Sequence, residues 1–253
     1  MFKHPVIITC RIMLGKGRKT LYHPPMKLSV IIPTKNEQAR LPALLWDLYE
    51  GLGQDMIREV LVADGGSSDN TCLIAEEAGC VVVSSAPGRG VQIAAAMEDV
   101  RSDWVLILHA DIRLAEGWAS QLLNMKLDPA AIYYGHFDMD DRGFWPTLVT
   151  WGVALRCRLG RRPYGDQGFL ISKARLQSLG GYPNIPIMDD VALVDLYPRH
   201  ARQALPFRVC SSARAYQHKG YVRRMLGNAM IYWSYRLGTP PEKLMRRYYG
   251  HKS

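Results

Sequence analysis

At 253 residues, 48% hydrophobic and 22% charged, the chain carries enough apolar material for a sizeable core, which excludes a disordered or fibrous polypeptide. A formal net charge of +9 favours anionic partners, whether phosphorylated ligands, nucleic acid or acidic membrane, without choosing among them. The five cysteines, at 10, 72, 80, 157 and 210, form neither a C-x-x-C pair nor a zinc spacing. They argue against a disulfide framework and suit a reduced, cytoplasmic protein.

Residues 1–26 read as an extension, because the apolar run VIITCRIML is too short to span a bilayer and LGKGRKT after it is a poor cleavage site. From residue 27 the chain alternates between strand and helix patterns. LSVIIP is a first buried strand, and 37–50 is a helix with Leu41, Leu44, Leu45 and Leu48 on one face and Pro42 tolerated in its first turn. REVLVAD is the second strand. A helix follows, capped by Ser68 or Asp69 and closed by Gly79, then the strand CVVVSS, a helix over 91–100 and the strand WVLILH. This predicts an α/β fold, a mostly parallel sheet flanked by helices.

Past residue 125 the alternation weakens into the strand AIYYGHFDM, a Trp-rich helix over 144–159, the RRPYGDQGFLIS turn and strand, and a short helix before GGYPNIP. The expectation is one domain over 27–220, its first half a nucleotide-binding sheet and its second half the other side of a cleft. Residues 221–253 read as basic, aromatic helices broken at Gly238, Thr239, Pro240 and Pro241. They suit either an amphipathic helix on an anionic membrane or a packed helix with snorkelling arginines, and packing is favoured.

Carboxylates follow apolar runs at Asp64 and Asp111, and Asp189 and Asp190 form an adjacent pair. Ligands of open α/β sheets bind at the carboxyl ends of strands, and carboxylates there hold hard cations or accept hydrogen bonds. Each position also has a plain reading. Thr34 and Glu37 suit a helix cap and first-turn acid, Asp64 a solvated turn, Asp111 a capping acid, and Asp189 with Asp190 a favourable partner for a helix dipole. The Pro87-Gly88-Arg89-Gly90 turn permits close backbone approach to a phosphate without matching a Walker or dinucleotide spacing.

In order, SVIIPTKNE, VLVADGGSSDNT, LHADIRL, YGDQGFL and IPIMDDVAL resemble the family-2 glycosyltransferases, inverting enzymes of GT-A fold that use nucleotide sugars. The HAD triplet and the PYGDQG turn resemble, within them, a bacterial subgroup associated with arsenosugar-type biosynthesis. The resemblance implies a nucleoside diphosphate sugar as donor and a small molecule or lipid as acceptor. It implies Pro33, Thr34, Glu37, Asp64, Arg89 and His109 at the nucleotide or donor, and Asp111 on a divalent cation, Mn or Mg. His218 stands where many such enzymes place a late metal-binding histidine. Asp190 is implied as the base, with Asp166, Gln167 and Asp189 towards the acceptor.

The departure is His109, which stands in place of the first acid of a D-x-D motif and is alternatively structural. Rival readings are a sugar-nucleotide nucleotidyltransferase, which lacks its Gly-rich, Lys-bearing loop here, a degenerate scaffold that only binds nucleotide or sugar, and a nucleic-acid binder, for which no reading motif exists.

Overall fold

The computed structural model describes residues 26–249, so nearly all of the expected extension lies outside the described residues. Four parallel strands form one half of an eight-stranded sheet: β1 (Leu28–Thr34), β2 (Ile57–Asp64), β3 (Val81–Ser84) and β4 (Trp104–Ile107), in the order β3-β2-β1-β4. Beyond β4 the sheet turns mixed. It continues through β7 (Phe169–Ser172), β6 (Ile132–Met139), β8 (Arg202–Ser211) and β5 (Ile112–Leu114), with β7 antiparallel to both neighbours.

Both faces of the sheet are covered, which is why β1 is apolar at nearly every position. Leu28, Val30 and Ile32 enter one buried cluster with Leu41, Leu44 and Leu48 of α1 (Leu41–Gly53) and Trp118 of α4 (Trp118–Leu123). Ile31 points the other way, towards Ile93 and Ala96 of α3 (Arg89–Glu98) and Leu193 and Val194 of α7 (Asp189–Asp195). The other described helices are α2 (Thr71–Glu77), α5 (Phe144–Gly160), α6 (Lys173–Ser178), α8 (Arg214–Lys219), α9 (Tyr221–Arg236) and α10 (Pro241–Tyr249).

The structure revises four expectations. Helix α1 begins at Leu41 and not at 37, because Asn36 adopts φ 57° and residues 36–38 are bound to the loop after β2. The amide of Glu37 donates to Thr71 Oγ1, and Ser68 N donates to Asn36 Oδ1. Neither Ser68 nor Asp69 is the N-cap of α2, which is Asn70, although Asp69 Oδ1 accepts from Thr71 N. Helix α3 starts two residues early, at Arg89. Strand β8 was not expected; its Pro206, which cannot donate to a ladder, sits at the register irregularity opposite Gly135, where a missing donor is tolerated.

Gly90 lets α3 meet the loop before α7. Arg89 N donates to Pro186 O at 3.2 Å, and a Cβ on Gly90 would lie 2.3 Å from Ile185 O and 2.6 Å from Pro183 O. Gly90→Ala should therefore cost roughly 1–3 kcal/mol in urea unfolding. Gly53→Ala, whose Cβ would meet nothing within 4 Å, should change stability by less than about 1 kcal/mol. Equal effects of the two would refute the close approach.

Candidate active site

The carboxyl ends of β1 and β4 open into a cleft of about 1050 Å³. Its floor carries Pro33, Thr34 and Glu37 after β1, and His109 and Asp111 in the turn between β4 and β5. Gly88 and Arg89 come from the start of α3, Tyr164 and Asp166 from the stretch after α5, and Asp190 from the first turn of α7. Gln92 ties the strand ends together, its Nε2 donating to Thr34 O and Ala63 O at 2.7 Å each.

Arg89 is the hub of the wall. Its Nε donates to Asp189 Oδ1 at 2.8 Å, and its Nη2 lies 2.7 Å from both Asp189 Oδ1 and Asp190 Oδ1. Tyr182 OH donates to Asp189 Oδ2 at 2.9 Å. Asp190 also accepts from the amides of Gly165 and Val191, each at 2.9 Å. Burial pushes the Asp190 carboxyl up, but Arg89, those amides and His109 together pull it below its ordinary range. For Asp189, buried completely, burial wins over Arg89 and the shift is upward. Against the cost of burial, the two carboxylates hold Arg89 above its usual value.

His109 completes this group, its Nε2 standing 3.4 Å from Arg89 Nη1. Burial, then the adjacent guanidinium, push the imidazole down to about 3, so it is neutral at physiological pH. A neutral Nε2 accepts from Arg89 in the Nδ1–H tautomer. Gly165 is glycine because a Cβ there would stand 2.7 Å from His109 Nε2; without one, the backbone reaches Asp190.

Three further cleft acids carry too little compensation. Burial raises Glu37 and Asp111, and raises Asp166 to about 6. One oxygen of Asp166, Oδ1, is buried without a hydrogen-bond partner among the described residues. Among the described residues no three His, Cys, Asp or Glu side chains gather as a metal site. A cation here would rest on Asp111 and on oxygens of a bound ligand, a ligand set that suits Mg²⁺ with phosphates.

Four expected contacts are corrected as cleft-lining residues. Asp64 lies behind the lining, its carboxylate accepting from Gly66 N, Ser67 N and Thr34 Oγ1. Asp189 is fully buried on Arg89 and Tyr182. Gln167 is 2% exposed and braces backbone, donating to Gly135 O and accepting from Tyr164 N. His218 is exposed on α8 and does not line the cleft.

The carboxyl-terminal helices supply residues that sequence reasoning did not place here. Arg224, Asn228 and Tyr232 of α9 and Arg246 and Tyr248 of α10 line the cleft, held there by packing among Ile187, Ile231 and Leu244. Arg224 donates to Tyr248 OH and lies over its ring at 4.8 Å, and its buried Nε has no partner among the described residues. The clue in the sequence was the Gly238–Pro241 break, which folds α10 back onto α9.

Comparisons with known proteins bear on the family and the fold. The model of glycosyl transferase family 2 matches residues 29–178. Glycosyltransferase AglJ of Haloferax volcanii is 35% identical over 114 residues, a match covering 44% of this chain and 35% of that protein. The matched part thus spans about a third of that relative's length. A mycobacterial protein of known structure superposes with a TM-score of 0.51 at 19% identity, over 74% of this chain and 65% of that one. Glucosyl-3-phosphoglycerate synthase from Mycobacterium tuberculosis, solved with Mn²⁺, UDP-glucose and phosphoglyceric acid, gives 0.50 at 20% identity, over 71% and 69%. At such identities the likeness is one of fold.

Asp166 binds its proton more tightly in the folded chain, at about 6, than unfolded, at 3.8. Stability is therefore lost as pH rises from the unfolded value through about 6. In ligand-free protein at pH 7.5, Asp166→Asn should gain roughly 1–3 kcal/mol, or about 2–8 °C in melting temperature. The gain should vanish below about pH 4. Destabilisation at both pH values would refute the raised carboxyl.

Proposed function

The chain belongs to glycosyltransferase family 2, and from that premise we propose that it moves a sugar from a nucleoside diphosphate sugar to an acceptor hydroxyl with inversion, Asp190 acting as base. The reading is carried by one observation: the cleft at the carboxyl ends of β1 and β4 brings Asp111 and the Arg89–Asp190 wall into a single space. The mycobacterial synthase was crystallised with UDP-glucose, so a uridine diphosphate sugar is the first donor to try. The finer affiliation with the arsenosugar-type subgroup is likewise a proposal, resting on His109 to Asp111 and the turn around Asp166.

Direct displacement forms a bond from the acceptor oxygen to the anomeric carbon as the bond to the diphosphate oxygen breaks, and the acceptor proton passes to a carboxylate. Asp190 is ionised at neutral pH, and its orientation is fixed by Gly165 N, Val191 N and Arg89. Pro33, Thr34 and Glu37 form the floor on which the nucleotide would lie. Arg89 is committed to the two aspartates, so the diphosphate falls to other cations of the lining, Lys35, Arg224 and Arg246. Arg224 suits it best, since it acts electrostatically on Asp111 and keeps an unpartnered Nε. A Mn²⁺ or Mg²⁺ ion held by Asp111 would neutralise charge developing on the departing diphosphate.

A second base has one observation in its favour. Both oxygens of Asp190 already accept hydrogen bonds, whereas Asp166 has a partnerless Oδ1 and a carboxyl held at about 6, nearer the optimum for proton transfer at neutral pH.

UDP with Mn²⁺ should raise the melting temperature of wild type and of Asp190→Asn but not of Asp111→Ala. Asp190→Asn should lower kcat by about 10²–10⁴. With Asp190 as base, activity holds down into the ordinary carboxylate range; a limb near pH 6 that disappears in Asp166→Asn would transfer the role to Asp166. If none of UDP, GDP, CDP and dTDP shifts the melting temperature with either metal, the transferase reading falls in favour of a degenerate scaffold.

A further inference from the structure

We propose that α5 and α9 together form a docking face for the surface of an anionic bilayer. The proposal is independent of the sugar-transfer chemistry. Along α5, Phe144, Leu148, Trp151, Leu155 and Leu159 recur at the spacing of a single helical face. All but the half-buried Leu148 are exposed, and the opposite face buries Pro146, Val149 and Val153. Helix α9 repeats the pattern with Val222, Leu226, Met230 and Trp233, continued by Leu237 just past its end, all of them exposed. Its inward face carries Arg224, Asn228, Ile231 and Tyr232 to the cleft.

The two helices are tied to one flank. Tyr221, at the start of α9, packs on the cluster that contains Val149 and Val153 of α5. Arg162, two residues past α5, donates to Tyr232 OH at 2.6 Å. Each helix thus turns its polar or core-forming side inward and its apolar stripe outward, the reverse of a helix that ends its stripe in a protein core. One face of α9 thus packs as the favoured reading of the tail expects, and the other is exposed.

Charge identifies the occupant. Neither α5 nor α9 contains an Asp or Glu, while Arg158 and Arg223 stand exposed beside the stripes. A second copy of this face would oppose arginine to arginine, with no acid on either helix to pair them. An anionic lipid surface accepts the arginines at its headgroups, takes the Leu, Met and Phe side chains below them, and places Trp151 and Trp233 at the boundary. Among the described residues no helix is long and apolar enough to cross a membrane, so the contact is one that lies on the surface.

The test is flotation of the full chain with phosphatidylcholine vesicles, with and without phosphatidylglycerol. The chain should float with the phosphatidylglycerol vesicles, less as salt rises, and poorly with phosphatidylcholine alone. The double variant Trp151→Ser, Trp233→Ser should bind at least about tenfold more weakly at an unchanged melting temperature. Arg158→Gln and Arg223→Gln should each weaken binding to the anionic vesicles by about fivefold and leave the phosphatidylcholine result unchanged. Flotation with neither vesicle, or equal flotation of the double tryptophan variant, would overturn the proposal. So would a wild-type dimer that the tryptophan variant loses while vesicles remain unbound, which would make the face a contact between copies.

Discussion

The site depends on one interaction, the fork of Arg89 onto Asp189 and Asp190. It joins the start of α3 to the start of α7, elements a hundred residues apart. A guanidinium is suited to this because its planar donors reach two carboxylates at once while it stays charged when desolvated. Removing one member of such a pair leaves the other buried and unpaired, at a cost of several kcal/mol. The cleft wall is thus not a flexible loop that happens to carry acids. It is a clamped corner whose geometry fixes where Asp190 points, and Gly90 and Gly165 are small so that the backbone can close around it.

The parallel half of the sheet was legible because its signals are local. Buried strands read as continuous apolar runs, and the residue that ends each run marks the sheet edge, which is how Thr34 and Asp111 could be placed at a cleft before any coordinates. The same logic set Asp64 at the cleft edge, where its carboxylate instead serves the loop behind the lining; Gln167 and Asp189, expected from a Gly-flanked turn and a helix start, are likewise taken up by protein groups. A carboxylate or amide at a strand end serves a ligand or serves the backbone, and the two differ only in whether nearby amides take its oxygens; Gly66 and Ser67 do so for Asp64. Strand β8 carries Pro206, whose tolerance comes from a bulge that exists only once β6 is alongside.

The tail carries two messages in one stretch of letters. Helix α9 has arginines and aromatics all around it, so its sequence suited a surface helix as well as the packed helix that was favoured. The structure separates them by angle, with Arg224, Asn228, Ile231 and Tyr232 towards the cleft and the apolar stripe away from it. Composition cannot make that distinction, because it needs the direction from which α10 and the loop at Ile187 approach. The consequence is that the tail belongs to the cleft: a boundary at residue 220 would cut the wall of the site.

His109 is where the chain departs most from the motif it resembles, and the clamped corner supplies a reason. Arg89 already faces two carboxylates, leaving the local sum at one negative charge. An acid at 109 would add another within reach of Asp190, and with Arg89 already shared between two carboxylates one of the three would be pressed towards taking a proton. A neutral imidazole instead accepts from Arg89 and leaves Asp190 ionised. The substitution thus moves negative charge away from the β4 edge and concentrates the carboxylate role there on Asp111. The same substitution that weakens the case for a two-acid metal site preserves the charge state a base at Asp190 requires.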